Sequence, residues 1–179
     1  MLGATRLGLG VVASVLVGCA PAGGATASSP RAQGVVTVAA TSNGSASGRV
    51  VLTGAIGDSG TTLRVNATGK ADARGGYIKL SLRQGTVEVN LRTLDTLLTR
   101  AVFLTPTCSA TLSASSPASV VSGTGAYRGI TGTITLTVTV SMVLPRYASG
   151  SHKGTCNVDG TSTGELVTFS GSGPISFSA

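Results

Sequence analysis

Apolar and hydroxyl-bearing residues alternate along the clearest segment of the chain. From Thr133 to Met142, Thr or Ser occupies every odd position, and Ile, Leu, Val or Met occupies every even one. A period of two places the two sets on opposite faces of a β-strand. Residues 131–142 therefore predict a long strand with an apolar face turned to a core and a hydroxyl face that meets water or a polar lumen.

A second alternating region, residues 78–91, changes phase in its middle. Apolar residues fall on even positions before Gln84 and on odd positions after Gly85. A two-residue hairpin that pairs Leu82 with Val87 puts both sets on one face, whereas a continuous strand needs a β-bulge to do so. We prefer the hairpin.

Shorter alternating runs, separated by turn-forming residues, predict further strands. They cover residues 35–40, 49–56, 61–65, 108–114, 166–170 and 174–177. Residues 91–102 have helical spacing through Leu94, Leu97 and Leu98, over a length of one or two turns. About eight strands without a long helix predict an all-β antiparallel barrel, with a β-sandwich as second choice, and closure removes exposed strand edges.

The N-terminal segment departs from this pattern. Residues 7–18 form an apolar run that is too short to span a bilayer and is typical of a signal peptide. The run ends in Leu-Val-Gly-Cys at residues 16–19, which looks like the lipobox of bacterial lipoproteins. In that motif the cysteine is acylated, and two acyl chains on one residue suffice for stable anchoring.

We therefore predict four features of the mature protein and its precursor. These are a signal peptide at 1–18, a lipid on Cys19, a flexible tether over 19–34 and a single barrel domain over 35–179. The protein would be extracytoplasmic and attached to the bacterial cell membrane through its lipid. The alternative is an ordinary signal peptide that is cleaved farther along the Ala-rich stretch.

The remaining cysteines agree with export. Once Cys19 is assigned to the lipid, Cys108 and Cys156 are left, and 156 minus 108 gives a separation of 48 residues. In an oxidising compartment we expect them to form a disulfide. A metal site fails on ligand count, because His152 is the single histidine of the sequence. No metal and no cofactor is predicted.

Composition narrows the classes of function. Aromatic residues make up 3% of the chain and Trp is absent, which disfavours base stacking and aromatic ligand cages. The formal charge of +7 becomes +6 without Arg6, and the cations are spread singly along the chain. A solvated surface accounts for them, with weak attraction to anionic envelope polymers or lipid headgroups as the alternative. Nucleic acid is not expected as a partner.

The densest motif spans residues 123–133, which read Gly-Thr-Gly-Ala-Tyr-Arg-Gly-Ile-Thr-Gly-Thr. It resembles the GTG-x-aromatic-x-G-x-x-G signature of the dirigent and allene oxide cyclase superfamily, which also occurs in uncharacterised exported actinobacterial proteins. The matching positions are Gly123, Thr124, Gly125, Tyr127, Gly129 and Gly132. Glycine permits positive φ and close backbone approach, and Tyr127 can pack over the turn as a plug.

The resemblance implies an eight-stranded antiparallel barrel with a central cavity, often assembled as a trimer. We accordingly expect a homo-oligomer, a trimer by resemblance. No catalytic residue is transferred, because the acidic and basic cavity residues of the plant enzymes have no matching position in this sequence.

Charged residues that bear on chemistry are few. Lys79, Arg83 and Glu88 would line the lumen if the polar side of the sheet faced inward, and an enzyme would need such groups to converge with Tyr127. Residues 57–60 spell the Gly-Asp-Ser-Gly of chymotrypsin-like proteases, but the single histidine follows them, so we interpret them as a turn between strands. Asp58 and most other acids are expected to be exposed.

The sequence is compatible with three functions. The leading hypothesis is a non-catalytic barrel that binds a small apolar or amphiphilic molecule, or an envelope component. The alternatives are a dirigent-like or cyclase-like enzyme acting on a small hydrophobic substrate, and a purely structural envelope protein.

Overall fold

Eight antiparallel strands close into a barrel in a computed structural model that describes residues 33–98, 104 and 106–178. Each strand pairs with the next along the chain, and the last pairs with the first. The strands are β1 Gln33–Ser42, β2 Ser47–Gly54, β3 Asp58–Val65, β4 Tyr77–Leu82, β5 Gly85–Asn90, β6 Ser109–Gly123, β7 Ile130–Val143 and β8 Gly164–Phe177. The predicted barrel is confirmed.

The apolar face of each strand turns inward. On β7, Ile134, Leu136 and Val138 are buried, while Thr135 on the other face is exposed. The hydroxyl groups of the outer face bond to those of the neighbouring strand, as where Thr137 Oγ1 donates to Ser115 Oγ at 3.1 Å. The hydroxyl face of β7 therefore meets water and not a polar lumen.

The hairpin of β4 and β5 is confirmed, but its register differs from the prediction. Leu82 pairs with Gly85 rather than Val87, so the turn residues are Arg83 and Gln84. The Asp58 side chain holds this turn by accepting the backbone N–H groups of both turn residues. Because the two registers differ by two residues, the same apolar side chains face inward in either.

Strands β6 and β8 are longer than predicted. β6 continues past residue 114 through Pro117, and β8 runs unbroken where two short strands were expected. Ser, Gly and Pro in these stretches indicate turns by local propensity. Strand pairing overrides that propensity: residues 109–119 of β6 pair with β7, and β8 pairs with β1 on one side and β7 on the other.

The barrel has two different ends. The end that we call the plugged end contains the start of β1, the turns β2–β3, β4–β5 and β6–β7, and the end of β8. The 3-10 turn Gly125–Tyr127 closes it. The opposite end, the mouth, is formed by the β1–β2 turn, the β3–β4 loop, the β5–β6 connection and the β7–β8 loop.

A short helix, α1 Arg92–Leu98, covers part of the mouth. Leu94 of the helix and Leu91 just before it are buried in the core, and Asn90 Oδ1 accepts the backbone N–H of Arg92 at 3.0 Å. The predicted short helix within residues 91–102 is confirmed up to Leu98, where the described segment ends.

The barrel domain begins slightly earlier than expected. β1 starts at Gln33, so the last two residues of the predicted tether belong to the sheet. The predicted signal peptide, Cys19 and the rest of the tether lie outside the described residues.

Candidate ligand site at the mouth of the barrel

The lumen is apolar and almost filled. It encloses a cavity of about 30 Å³. Its walls are Val36, Val38, Ala40, Leu52, Ile56, Ile78, Leu80, Val87, Val89, Val120, Ile130, Ile134, Leu136, Phe169 and Ile175. Such a volume is enough for one or two waters, and an apolar cavity of this kind stays dry.

A larger cavity, which we call the mouth pocket, adjoins the lumen at Ile78 and Phe169, residues that line both. Its volume is about 180 Å³. For comparison, an engineered apolar cavity of about 150 Å³ holds a benzene molecule. The mouth pocket is therefore large enough for a ring or a short alkyl chain.

The walls of the mouth pocket combine apolar and polar side chains. The floor, where the pocket adjoins the lumen at Ile78 and Phe169, is apolar, and Val138, Leu94 and Leu98 add apolar walls. Ser42, Ser45, Arg64, Asp95 and Glu165 supply polar groups. A pocket with an apolar floor and a few polar groups is the usual form of a small-molecule site.

An ion pair crosses one side of the mouth pocket. Arg64 Nη2 lies 2.8 Å from Asp95 Oδ2 and 3.0 Å from Asp95 Oδ1, which joins β3 to α1. Arg64 lies two residues after the buried Thr62 on β3, so both side chains are on the inner face of the strand. On the other side of the mouth, Glu165 Oε2 accepts a hydrogen bond from Ser162 Oγ at 3.1 Å.

The Nε–H group of Arg64 is the unusual feature of this pair. Its nitrogen is buried, and within the described part of the chain it has no acceptor. A buried donor without a partner costs free energy that a hydrogen bond would recover. The unused donor thus lies behind the surface of the pocket wall, where the cavity does not reach it.

The plugged end contains the other polar cluster of the interior. Tyr127 is fully buried, and its hydroxyl donates to Asp58 Oδ2 at 2.6 Å. Asp58 Oδ1 also accepts the backbone N–H of Ser59 at 2.7 Å, in addition to the turn N–H groups that its carboxylate accepts from Arg83 and Gln84. Asp58 therefore ties three turns of this end together.

Burial and these hydrogen bonds act oppositely on Asp58. Burial raises the pKa of its carboxyl, but the Tyr127 hydroxyl and the three backbone donors outweigh that effect and hold the pKa below the ordinary 3.8. For Tyr127, burial and the adjacent Asp58 carboxylate both raise the pKa above its ordinary 10.0. The pair is a carboxylate with a neutral phenol at neutral pH, in a structural role.

The turn motif forms a tight connection between β6 and β7. Gly125 has φ +61°, and a Cβ there would collide with the backbone oxygen of Gln84. The side chain of Thr124 accepts the backbone N–H of Thr86 at 3.1 Å. Gly123 ends β6, Gly129 has φ +74°, and Gly132 lies in β7. Tyr127, which the sequence suggests as a plug, is buried at this turn.

The charged candidates for the lumen do not line it. Lys79 and Glu88 pair with each other across β4 and β5, on the face opposite the buried Leu80 and Val87. Arg83 is exposed in the turn. The interpretation that placed the three in the lumen is wrong, because the apolar phase of these strands faces inward. They do not converge with Tyr127 as an acid and a base.

The disulfide between Cys108 and Cys156 is present, with an S–S distance of 2.04 Å. It attaches the β7–β8 loop to the start of β6 at the mouth. Arg146 in the same loop donates to the carbonyl oxygens of Gly154 and Pro106, each at 2.6 Å. This loop is thus fixed to the barrel beside the mouth.

None of the helices in the described ranges is long and apolar enough to cross a membrane. Among the same residues, no group of three or more His, Cys, Asp or Glu side chains could hold a metal ion. No family model, curated protein or solved structure matches the chain.

Sequence reasoning misses the residues that give this site its polarity. It leaves Arg64 among the cations that are spread singly along the chain and expects Asp58 to be exposed. The alternation on β3 indicates the opposite face for Arg64, because Leu63 and Val65 on either side of it form the apolar phase. The separation of 31 residues between Arg64 and Asp95 leaves no local pattern that links them.

Proposed function

We propose that this protein is an extracytoplasmic lipoprotein that binds a small amphiphilic molecule in the mouth pocket without catalysing a reaction. The observation that carries the proposal is the mouth pocket itself. It has about 180 Å³ of space, an apolar floor continuous with the core and polar groups at Arg64 and Glu165. A molecule with one apolar and one polar end complements that arrangement.

The predicted lipid on Cys19 would attach the barrel at the end opposite the mouth pocket. The predicted tether joins β1 at the plugged end, and β1 runs from there towards the mouth. A lipid on Cys19 would therefore attach the domain through its plugged end, with the mouth at the far end of the barrel from the point of attachment. The disulfide supports an oxidising compartment, as export requires.

Catalysis has less support than binding. The charged and phenolic groups considered for acid–base chemistry lie apart, on the outer face, in an exposed turn and in the plugged end. A structural envelope protein is the second candidate, favoured by the small volume of the lumen cavity. It differs from the proposal in predicting that the mouth pocket takes no ligand.

Native mass spectrometry tests the proposal on the processed protein, extracted from a bacterial host and exposed to a lipid extract of the same cells. We expect a mass that includes a diacylglyceryl group on Cys19 and a second, dissociable small molecule. The variant Ala73→Trp, at the exposed rim of the pocket, should lose the small molecule. Ala126→Trp, exposed at the plugged end, is the matched control and should retain it.

The two parts of the proposal fail separately. A protein without lipid mass contradicts the anchor, whatever the pocket contains. A protein that retains no molecule, or retains it equally in both Trp variants, contradicts binding in the mouth pocket and favours the structural role.

A further inference from the structure

The plugged end presents two neighbouring cations. Arg83 and Arg128 are exposed in the β4–β5 and β6–β7 turns. These turns are in contact, since the backbone N–H of Ala126 donates to the carbonyl oxygen of Gln84 at 2.9 Å. Among the described residues, neither guanidinium has a carboxylate partner. Both side chains are therefore available to an anionic surface.

The acidic residues are arranged differently at the two ends of the barrel. The plugged end contains one, Asp58, which is buried and accepts hydrogen bonds from Tyr127 and from backbone N–H groups. The others lie on the outer wall or at the mouth: Glu88 on β5, and Asp72, Asp95, Asp159 and Glu165 at the mouth. An anionic surface would meet only cations exposed at the plugged end, and charges of both signs at the mouth.

Exposed apolar side chains lie on the outer wall near the same end. Val35 is 58% exposed and pairs with the exposed Pro174 across β1 and β8. Val121 is 51% exposed and lies two residues before the end of β6. Binding to a membrane surface gains from buried apolar area as well as from electrostatic attraction to anionic lipids. The plugged end offers both contributions.

The predicted tether brings this end to the bilayer. It has 13 residues between Cys19 and Gln33, since 32 minus 19 is 13, and they include one cation, Arg31, and no acid. A flexible chain of that length spans about 20 Å on average. The ten residues of β1 are longer, at about 33 Å. The mouth can therefore touch the bilayer only when the tether is stretched beyond its average span.

We propose that the plugged end docks on anionic lipid headgroups of the bilayer that holds the Cys19 lipid. Arg83 and Arg128 bind the headgroups, and Val35 and Val121 lie beside them at the interface. This inference rests on the lipid anchor in the proposed function and does not depend on the mouth pocket. Docking gives the barrel an orientation that a flexible tether alone does not impose, and it leaves the mouth open to solvent.

Paramagnetic relaxation in NMR tests the inference on the processed protein in lipid nanodiscs that contain a gadolinium-chelating lipid. Nanodiscs of phosphatidylcholine are compared with nanodiscs of phosphatidylcholine and phosphatidylglycerol in equal parts. With phosphatidylglycerol we expect strong relaxation enhancement at the backbone amide of Ala126 and weak enhancement at that of Gly150, in the β7–β8 loop. The enhancement at Ala126 should fall at high salt, which screens exposed charges, and in pure phosphatidylcholine.

The variants Arg83→Gln and Arg128→Gln each remove one cation from the plugged end. Each should lower the ratio of docked to free barrels, obtained from the Ala126 enhancement, about fivefold, and the double variant about 25-fold. Lys70→Gln/Lys153→Gln removes two exposed cations from the mouth and is the matched control. It should change the ratio by less than about twofold.

The outcomes separate this inference from the anchor. Equal enhancement at Ala126 in the two lipid mixtures, or an equal loss in the control and the arginine variants, overturns docking and leaves the anchor intact. A protein without lipid on Cys19 does not co-purify with the nanodiscs, and the inference then fails with the anchor. If soluble polyphosphate releases the plugged end at a phosphate concentration below that of the phosphatidylglycerol, a polyanionic polymer is the partner and the lipid surface is not.

Discussion

At the scale of single residues, Asp58 and Tyr127 are the pair that closes the plugged end. They lie 69 positions apart in sequence, and one hydrogen bond of 2.6 Å joins the start of β3 to the β6–β7 turn. Because Asp58 also accepts hydrogen bonds from the β4–β5 turn, its carboxylate connects three segments at this end of the barrel. Within residues 57–60, Asp58 is thus a structural acceptor rather than part of a protease site.

Removal of the phenolic hydroxyl should destabilise the barrel. Tyr127→Phe leaves the ring in place but deletes a hydrogen bond to a buried carboxylate, which is worth about 1.5–3 kcal/mol. Urea denaturation should show a loss of that size in the free energy of unfolding. Tyr147→Phe, in the partly exposed β7–β8 loop, is the control. Equal effects of the two variants would contradict a role for the Asp58–Tyr127 bond.

The same pair should shape the dependence of stability on pH. The pKa of Asp58 is lowered from 3.8, so its stabilisation is complete above about pH 4 and is lost as the pH falls through its folded value. The pKa of Tyr127 is raised from 10.0, so its stabilisation is present below about pH 10 and is lost as the pH rises above that.

Unfolding free energies measured across this range check both limbs. Asp58→Asn should flatten the acid limb, and Tyr127→Phe the alkaline one. Glu88→Gln, on the outer face, serves as the comparison for a general loss of charge. An acid limb as steep in Asp58→Asn as in the unsubstituted protein would show that other carboxylates control it.

At the scale of elements, the disulfide holds the long β7–β8 loop against the start of β6. Its two cysteines are 48 positions apart, and the loop that they close includes β6 and β7, which pair with each other over most of their length. The chain-entropy model assigns such a cross-link about 4 kcal/mol, through restriction of the unfolded chain.

Replacement of both cysteines tests this contribution. The double variant Cys108→Ala/Cys156→Ala should lose about 4 kcal/mol of unfolding free energy while retaining a β-type circular dichroism spectrum. Addition of a reductant to the unsubstituted protein should give the same loss. A change below about 1 kcal/mol would mean that the disulfide adds little to a barrel already closed by its strands.

The elements differ in how far sequence could predict them. The sequence predicts β7 because Thr and apolar residues alternate there without interruption. It predicts the β4–β5 hairpin because the apolar residues change once from even to odd positions. The sequence does not predict the second half of β6, since Ser116 and Pro117 are as common in turns as in strands. Its conformation depends on pairing with β5 and β7, which no local window contains.

The candidate site was less accessible to prediction than the fold. The apolar floor follows from alternation, but the polar side of the mouth pocket depends on where α1 rests over the barrel. Arg64 and Asp95 meet across that contact. Alternation alone also does not say which face of the sheet turns inward, so it leaves a lumen position open for Lys79 and Glu88.

At the scale of the whole molecule, the two ends of the barrel lie at different distances along the chain from the predicted anchor. The first described strand begins at the plugged end, and the ten residues of β1 lead from there to the mouth, over a strand length of about 33 Å. A membrane anchor upstream of β1 would therefore leave the mouth pocket farther from the bilayer than the Tyr127 turn.

Fluorescence quenching tests this orientation. The chain has no Trp, so the single indole introduced by Ala126→Trp or by Ala73→Trp reports from one end of the barrel. In vesicles that contain brominated lipids, we expect stronger quenching in the Ala126→Trp variant than in the Ala73→Trp variant, since quenching by bromine requires close approach to the acyl chains. Equal or stronger quenching at the mouth would contradict the orientation.

The central claim is that the mouth pocket is a ligand site, and chemical-shift mapping with toluene tests it most directly. In heteronuclear NMR spectra of the processed protein, the account predicts saturable shifts concentrated at Ile78, Leu94 and Phe169, with none at Tyr127. Shifts scattered over the outer face, confined to the plugged end or absent would contradict it.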